Sequence, residues 1–597
     1  MTPIEIGLAV SGGLLVMVLI GVRVAFAAAI AGLTGLIWIF WAKRGYDPNQ
    51  FFWALSVAGK IAGQVPHSKI ASQALSLIPT FILIGYLAYY AGFTKALFEA
   101  AKRWIGWLPG GLAVATVFAT AGFAAVSGAS VATSAVFARV AIPEMLKLGY
   151  NKAFAAGVVA SAGTLASLIP PSAILVIYAI IVEQDVGALL LAGFLPGLFS
   201  AVIYGGLVVI LALMFKNFGP PVRGFTVLER LQSLPGVFPI FFVVAIIILF
   251  IYNPTGGDAW GTPTEGGALG AFVVFVMAIS RGSWPKWGAA LNAYWQKIKA
   301  FLTEDDRAYG YGISGSNIKA DSETRVAALE NRIAVLEKNS LYGVLVTIRR
   351  AIRNFFAPER FQGVRNKAHE FKHGNLRTKV SVLRSLNIRK TLPRLTFFEA
   401  DPTGDPSERG MRWPEFKSAL LETARLSVMI FTIIWGVLIY VRFLGFADLP
   451  TAFSDWIASL EQSPMLTLIL ILLAYAVLGM FMDAIGMLLL TLPVVYPAVI
   501  ALNGGAAAPD GIGQFGMSDT GCAIWFGIIV VKMAELCLIT PPIGLNCFVV
   551  AGVQPEISVQ DVFRGSSPFF IADALTIAGL IAYPGIVLYL PALAGAL

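Results

Sequence analysis

The sequence predicts an all-α polytopic membrane protein that contains two inverted-topology repeats. Hydrophobic residues make up 57% of the 597 residues and charged residues 13%, against about 25% charged residues in soluble domains. Apolar runs of bilayer-spanning length recur along the chain. Two of them are interrupted by a proline pair, in GTLASLIPPSAILVIY at 163–178 and in LCLITPPIGLNCFVV at 536–550. Proline breaks a helix interior, so this pattern indicates two broken membrane helices.

The predicted crossings are the uninterrupted apolar runs of the chain. They lie near 6–22, 24–41, 77–93, 153–182, 187–215, 235–252, 264–280, 420–441, 521–553 and 569–595. Two more apolar stretches, 111–142 and 463–501, have small or polar residues at their centres. We expect each to be a re-entrant helical hairpin. The first run is followed at once by another apolar run after Arg23, so it is interpreted as a membrane helix and not as a signal peptide.

The distribution of Lys and Arg sets the predicted topology. Segment 281–412 holds 24 Lys/Arg and 13 Asp/Glu, and we place this basic insert in the cytoplasm. If both hairpins return to their own side, the outside loops 442–463 and 502–520 carry a single basic residue, Arg442. The basic residues of 42–76 are the exception, and they are assigned to a helix end and an interfacial helix. Both termini are then expected to be periplasmic.

The two halves of the chain resemble each other. Residues 22–39 are similar to 261–278, and residues 91–106 are similar to 444–459. Each half has five crossings and one hairpin, so the copies are expected to be oppositely oriented. Inverted repeats with discontinuous helices are typical of secondary transporters.

These patterns divide the chain into predicted domains. The first repeat is 1–230, with its hairpin at about 111–142 and its broken helix at 153–182. The second repeat begins at 231–280 and resumes at 413–597, with its hairpin at about 463–501 and its broken helix at 521–553. The basic insert 281–412 separates the two parts of the second repeat. The insert either contacts anionic lipid head groups or forms a solvated cytoplasmic domain that obeys the positive-inside rule; no nucleic acid is expected to bind it.

A broken helix exposes backbone groups at membrane depth, where irregular backbone is tolerated only when it lines a cavity or is buried in protein. The freed carbonyls of the first half-helix favour a cation, and the amide end of the second half-helix favours an anion. Ser172 and Asn546 lie just beyond the two breaks. They are therefore candidates for side-chain contacts with a ligand.

The hairpin centres supply further candidates. Ser127, Ser130 and Thr133 offer hydroxyl oxygens of the kind that Na⁺ accepts. Asp483 is the only acid in a long apolar stretch, which makes it a candidate functional residue; the alternative is a capping residue at the hairpin turn. Lys532 and Glu535 are spaced to share a helix face, and they either pair with each other or tune the nearby site.

The motifs together resemble one family. The stretches GTLASLIPPSAILVIYAIIVEQDVGALLLAGFLPG at 163–197, FAAVSGASVATSAV at 123–136, TPTEGGALGA at 262–271 and LITPPIGLNCFVVAG at 538–552 are similar to the large membrane subunit of tripartite ATP-independent periplasmic (TRAP) transporters. The resemblance covers nearly all of 1–280 and 413–597. It implies a Na⁺-driven elevator transporter of the bacterial inner membrane, with a scaffold and a moving domain that contains both hairpins and both broken helices.

The resemblance also implies site residues, partners and ligands. Sodium ligands would be Ser127, Gly128, Ser130, Gly163, Thr164 and Pro170 in the first half and Asp483, Thr540 and Pro541 in the second. The substrate-facing side chains would be Ser127, Thr133, Ser172, Asp483 and Asn546. A periplasmic binding protein would deliver an organic acid. A small four-helix membrane subunit, expected as a separate chain, would brace the scaffold, and no cofactor besides the coupling ion is expected.

The sequence departs from the family pattern in its long basic insert and in Met533, which stands where many relatives have asparagine. The alternative function is a Na⁺/anion symporter of the same ion transporter superfamily that needs no binding protein. An intramembrane hydrolase is disfavoured because the sequence has no HExxH motif and its histidines, His67, His369 and His373, lie outside the apolar runs. The cysteines Cys522, Cys537 and Cys547 imply no disulfide framework.

Overall fold

All regular secondary structure in the described part of the chain is helical, which confirms the all-α prediction. The computed structural model describes residues 1–70, 73–215, 218–222, 224–251, 261–280, 410–507 and 511–596. Among these described residues, seven helices are long and apolar enough to cross a membrane, or up to nine if each of two bent pairs is one span. The basic insert, predicted at 281–412, lies outside the described residues except for its last three.

Thirteen α-helices precede the basic insert within the described residues. They are α1 Pro3–Leu19, α2 Val24–Ala42, α3 Phe51–Ile70, α4 Leu77–Tyr90, α5 Phe93–Ile105, α6 Gly111–Ser127, α7 Ser130–Lys147, α8 Lys152–Thr164, α9 Ala173–Ile181, α10 Val186–Met214, α11 Val227–Ser233, α12 Phe238–Ile251 and α13 Pro263–Ser280. The last two begin the predicted second repeat.

The remaining described helices follow the basic insert. They are α14 Trp413–Phe446, α15 Leu449–Ser459, α16 Pro464–Gly479, α17 Ala484–Asn503, α18 Asp519–Cys537, α19 Leu545–Val553, α20 Val559–Ala582 and α21 Gly585–Leu593. The predicted crossing at 569–595 is wrong as a single helix. A capping box at Ser558 starts α20 earlier, and the chain leaves the helix at Tyr583 before Pro584, which cannot continue a helix from the preceding turn.

Helices α6 and α7 fold back on each other. The backbone N–H of Leu112, at the start of α6, donates to the hydroxyl of Tyr150, just beyond the end of α7, at 3.2 Å. In a straight continuation these ends would lie roughly 50 Å apart at 1.5 Å per residue. The rings of Phe123 and Phe137 meet nearer the turn, with centroids 6.0 Å apart. The turn between the helices, residues 128–129, is the first tip.

Helices α16 and α17 fold back in the same way. The Thr491 hydroxyl donates to the Tyr475 hydroxyl at 2.8 Å across the turn, although nearly two dozen ångströms would separate these residues in one straight helix. The turn, residues 480–483, is the second tip. That either hairpin enters and leaves the bilayer on one side stays a prediction.

Both proline pairs interrupt the helical structure. Between α8 and α9 a short 3₁₀ turn, Leu165–Ser167, precedes a non-helical segment, 168–172, which is the first link. Between α18 and α19 the non-helical segment is 538–544, the second link. The Pro170–Pro171 and Pro541–Pro542 peptide bonds are both cis. Because residues 168–172 and 538–544 are non-helical, each link leaves backbone groups outside a helical ladder.

Close glycine contacts join helices of the two halves. A Cβ on Gly32 of α2 would lie 2.6 Å from the backbone nitrogen of Tyr440 in α14, and a Cβ on Gly436 would overlap the Ala25 carbonyl. Because both residue numbers rise together along the contact, α2 and α14 run parallel.

The pair α4 and α13 repeats this arrangement. A Cβ on Gly267 would lie 2.9 Å from Thr80 Oγ1, and one on Gly270 would lie 3.2 Å from a side-chain carbon of Ile84. The two helices therefore also run parallel. The predicted repeat pairs α2 with α13 and α4 with α14. If that prediction holds, the pairs α2–α14 and α4–α13 are equivalent contacts between the two repeats.

The half-helices of the two broken helices are also exchanged between the halves. Tyr178 of α9 donates its hydroxyl hydrogen to the Ala523 carbonyl of α18 at 2.7 Å. Asn546 of α19 donates its side-chain N–H to the Ala160 carbonyl of α8 at 3.2 Å. Each second half-helix is thus held by the first half-helix of the other half.

Candidate functional site

The first tip is seated on the first link. The backbone N–H of Ala173, at the start of α9, donates to the Gly128 carbonyl at 3.3 Å. Gly128 has φ +58°, a conformation that favours glycine, and a Cβ there would overlap the Pro171 carbonyl. The tip therefore needs glycine for its backbone conformation and for its approach to the link.

Buried hydroxyl groups surround this contact. Ser127 Oγ and Thr133 Oγ1 share a hydrogen bond of 2.6 Å, and Ser130, at the start of α7, is also buried. Gly163 packs so closely against Ser134 that a Cβ would overlap its hydroxyl. The structure thus brings together the predicted residues Ser127, Gly128, Ser130 and Thr133, and it adds Ser134.

Three hydroxyl oxygens near the first link lack a partner within the described residues. They belong to Ser134, Ser161 and Ser167, and all three side chains are fully buried. Buried polar groups in native structures are almost always hydrogen-bonded, so each exception requires an explanation. Oxygen atoms of this kind fit a Na⁺ ion or ordered water. Sequence reasoning missed these residues, although serines in an apolar run were the available signal.

Two other predicted residues of the first half have local roles in this structure. The Thr164 hydroxyl donates to the Ser161 carbonyl at 2.7 Å and lies 3.5 Å from the Tyr204 hydroxyl, so it is engaged by α8 and α10. Ser172 caps α9 by accepting from the Leu175 N–H at 3.3 Å and donates to the Ser167 carbonyl. Pro170 is buried in the link.

The second tip is organised by Asp483. Its carboxylate accepts from the Gly486 N–H at 3.0 Å and caps α17, as the alternative interpretation of this residue expected. Capping engages one oxygen, and the side chain is only partly buried. A carboxylate in this position can cap the helix and still bind a cation.

The second link is more open than the first. Pro541, Pro542 and Ile543 are exposed, whereas residues 168–172 are all buried. The Thr540 hydroxyl donates to the Leu536 carbonyl at 2.6 Å. Within the described residues no hydrogen bond joins Asp483 to Thr540 or to the second link, so the structure does not bring the predicted second set together as it does the first.

Asn546 stands at the crossing of the two halves. It is fully buried, its side-chain N–H bonds to α8, and its Oδ1 has no partner within the described residues. It therefore presents an acceptor oxygen between the broken helices.

A buried ionic cluster lies one helical turn before the second link. Lys532 Nζ lies 2.7 Å from Glu535 Oε2 and 2.7 Å from Asp573 Oδ1. The Tyr204 hydroxyl donates to the same Asp573 oxygen at 2.6 Å. The sequence predicted a Lys532–Glu535 pair as one of two alternatives, and it missed Asp573, whose signal was an isolated acid within an apolar run.

A cavity of about 540 Å³ lies between α9, α14 and α17. Its walls are mainly apolar, and they include Ile177 and Ile181 of α9 and Leu489 of α17. Arg442 and Glu183 are its charged residues. Arg442 is exposed and forms no ion pair with any described residue. Sequence reasoning used Arg442 only as a loop charge.

Comparison with known proteins identifies the family. The family model of the tripartite ATP-independent periplasmic transporter, DctM component, matches residues 11–303 and 380–586. A C4-dicarboxylate TRAP transporter large permease protein of Vibrio cholerae is 26% identical over 93% of this chain and 90% of its own length. The corresponding protein of Pseudomonas aeruginosa is 25% identical over 88% and 86% of the two chains.

Two further similarities involve another permease and a solved structure. A sialic acid TRAP transporter large permease protein of Vibrio cholerae is 22% identical over 89% of each chain. The solved structure of the Alcanivorax borkumensis YdaH transporter covers 90% of each chain at 11% identity with a TM-score of 0.43. The family match spans most of the chain, both broken helices and both hairpins, and the chain therefore belongs to the DctM component, or large permease, family of tripartite ATP-independent periplasmic transporters.

Proposed function

We propose that this permease imports a carboxylate-bearing solute across the bacterial inner membrane with Na⁺ as the coupling ion and no organic cofactor. The observation that carries the proposal is the first tip seated on the first link. The turn carbonyl of Gly128 meets the link, and the Ser127–Thr133 hydroxyl pair lies beside that turn. Three nearby serines also have buried hydroxyl oxygens that lack a partner within the described residues. Neutral oxygens in a water-poor site are ligands that suit a monovalent hard cation.

The first ion site would be formed by Ser127, Gly128, Ser130 and Gly163 with the Pro170 link. Ser134 and Ser167 extend this set because their hydroxyl oxygens are buried and have no partner in the part of the chain that the structure describes. The second site would use Asp483, Thr540 and Pro541, which need a further closure of the second tip to meet. Coupling then follows if Na⁺ binds better to the closed form of each tip than to the open form.

The cavity beside α9 is suited to the solute. Its volume of about 540 Å³ falls within the range of roughly 300–1,000 Å³ that is usual for small-molecule sites. Arg442 offers the planar, bidentate donor that carboxylates prefer. Two relatives are named for C4-dicarboxylates and one for sialic acid, all carboxylate-bearing solutes, which supports an organic acid here.

The parallel pairs α2–α14 and α4–α13 support an inverted relation between the halves, with the scaffold built around them. The moving part would hold both hairpins and both broken helices, which exchange hydrogen bonds between the halves. Such a division suits an elevator movement. A separate small membrane subunit would brace the scaffold, and a periplasmic binding protein would supply the solute, as the tripartite family name implies.

Uptake into proteoliposomes tests this function. The permease, its small subunit and the cognate binding protein are reconstituted, and a panel of radiolabelled C4-dicarboxylates and sialic acids is offered under a Na⁺ gradient or an equal K⁺ gradient. We expect uptake of one solute class that needs both Na⁺ and the binding protein. Equal uptake in K⁺ would refute Na⁺ coupling, and full uptake without the binding protein would favour the self-sufficient anion symporter.

The proposed topology has its own test. Both termini are placed in the periplasm and the basic insert in the cytoplasm. A cysteine placed at position 370 should be protected from an impermeant maleimide added to intact cells, and one placed after residue 1 should be labelled. The opposite pattern would overturn the orientation without touching the transport assignment.

A further inference from the structure

The buried ionic cluster of Lys532, Glu535, Asp573 and Tyr204 joins three helices. Lys532 and Glu535 belong to α18, Asp573 to α20 and Tyr204 to α10. All four side chains are 0% exposed. Lys532 also lies over the Tyr204 ring, with Nζ 5.2 Å from the centroid.

The formal charges of this cluster do not cancel. One ammonium faces two carboxylates, so the sum is −1 if Tyr204 is neutral and both acids are ionised. Glu535 Oε1 and Asp573 Oδ2 have no hydrogen-bond partner among the described residues. An uncompensated buried charge is strongly unfavourable, and the titratable groups that face Glu535 are Lys532 from its own helix, Asp573 from α20 and Tyr204 from α10.

The compensating cation fits a proton better than a second metal ion. The Lys532 ammonium already lies 2.7 Å from both carboxylates, and it would repel a further full positive charge placed between them. A proton resides on a carboxylate oxygen and requires no additional space.

The hydrogen bonds indicate which acid holds the proton. Asp573 Oδ1 accepts from both Lys532 and Tyr204, at 2.7 Å and 2.6 Å. Glu535 Oε2 accepts only from Lys532. Donors stabilise an ionised carboxylate, and Asp573 has one donor more than Glu535. We propose that Glu535 carries a proton at neutral pH and that Lys532 and Asp573 form the charged pair.

The proton on Glu535 lies in a cluster that contacts both broken helices. Tyr204 connects the cluster to Thr164 at the end of α8, and Glu535 lies in the last turn of α18 before the second link. Loss of the proton at alkaline pH would leave a net negative charge between these helices. We therefore expect uptake to fall at alkaline pH through Glu535.

Infrared spectroscopy and uptake on matched variants test the assignment. The purified wild-type protein should show the C=O stretch of a buried carboxylic acid at neutral pH. Glu535→Gln, which has the shape of the protonated acid, should abolish that band, keep neutral-pH uptake within about twofold of wild type, and remove most of the alkaline decline. The control is Glu422→Gln, which removes an exposed i,i+3 pair with Arg425 and should leave the band and the pH profile unchanged.

A second variant guards against a folding defect. Asp573→Asn removes the stable anion and should lower the melting temperature more than Glu535→Gln does. The assignment is overturned if the acid band survives in Glu535→Gln, if Glu535→Gln is the less stable of the two, or if its alkaline decline equals that of wild type. The infrared band is independent of the coupling ion and solute, so its failure is distinguishable from failure of the transport assignment.

Discussion

Each of the two hairpin tips lies near a helix that is broken by a proline pair, but only the first tip is closed onto its link. The first tip bonds to its link through the Gly128 carbonyl, and the first link is buried throughout. At the second tip, the contact between the hairpin and the broken helix lies about one turn before the link, where Gly479 packs against Cys537. Pro541 and Pro542 remain exposed. Two similar sequence motifs therefore lie in unequal surroundings in this structure.

This difference indicates that a tip closes when its backbone fits against the link, and that the proline pair alone is not sufficient. Because Gly128 has no Cβ, the backbone of the first tip can contact the backbone of the first link directly. The second tip instead ends in Asp483, which caps α17 and leaves a carboxylate where the first half has hydroxyl groups. In the proposed transport mechanism, the first site would hold an ion behind closed protein and the second would exchange one.

Gly128→Ala should give the largest effect. The new Cβ would overlap the Pro171 carbonyl, and φ +58° is unfavourable for alanine. We expect at least a tenfold loss of Na⁺-dependent uptake, since the first tip would no longer seat. Gly149→Ala is the matched control because Gly149 has φ +81° with open space around its position; an equal loss there would assign the effect to backbone strain alone.

Asp483 variants separate capping from ion binding at the second tip. Asp483→Asn keeps a good N-cap, so thermal stability should change little while uptake falls about tenfold if the charge is required. Asp483→Ala should also lose stability, by about 1 kcal/mol for the cap. Wild-type uptake and Na⁺ dependence in Asp483→Asn would leave capping as the sole role.

Cysteine accessibility sharpens the comparison of the links. Ile543 is 39% exposed and Ile169 is 6% exposed, so a membrane-permeant maleimide should label Ile543→Cys about tenfold faster than Ile169→Cys. The native cysteines are all buried and should contribute little background. Equal labelling rates would show that the first link is no more closed than the second.

The smallest expected effect is the coupling between Ser127 and Thr133. Their hydrogen bond of 2.6 Å should give a non-additive term of about 1 kcal/mol, or roughly fivefold, in the Na⁺ concentration for half-maximal uptake when Ser127→Ala and Thr133→Val are combined. Thr120→Val is the control, since the Thr120 hydroxyl bonds only to the Thr116 carbonyl. Its effect should be additive with Ser127→Ala.

The sequence could predict the elements of the site because their signals are local. Hydropathy located the helices, proline chemistry located the breaks at 170–171 and 541–542, and glycine with serine located the first tip. The end of the chain was less accurate, since the capping box at Ser558 and the break before Pro584 moved the last predicted crossing.

Local sequence is enough to identify a helical membrane protein with two broken helices, because each of these properties depends on neighbouring residues. The folded chain was needed to find that Lys532 meets Asp573, that Arg442 borders a cavity with α9, and that the first link is covered while the second is open. These contacts join residues on different helices. They depend on how whole helices pack, and hydrophobic periodicity within one helix carries no information about which side chain of another helix it will face.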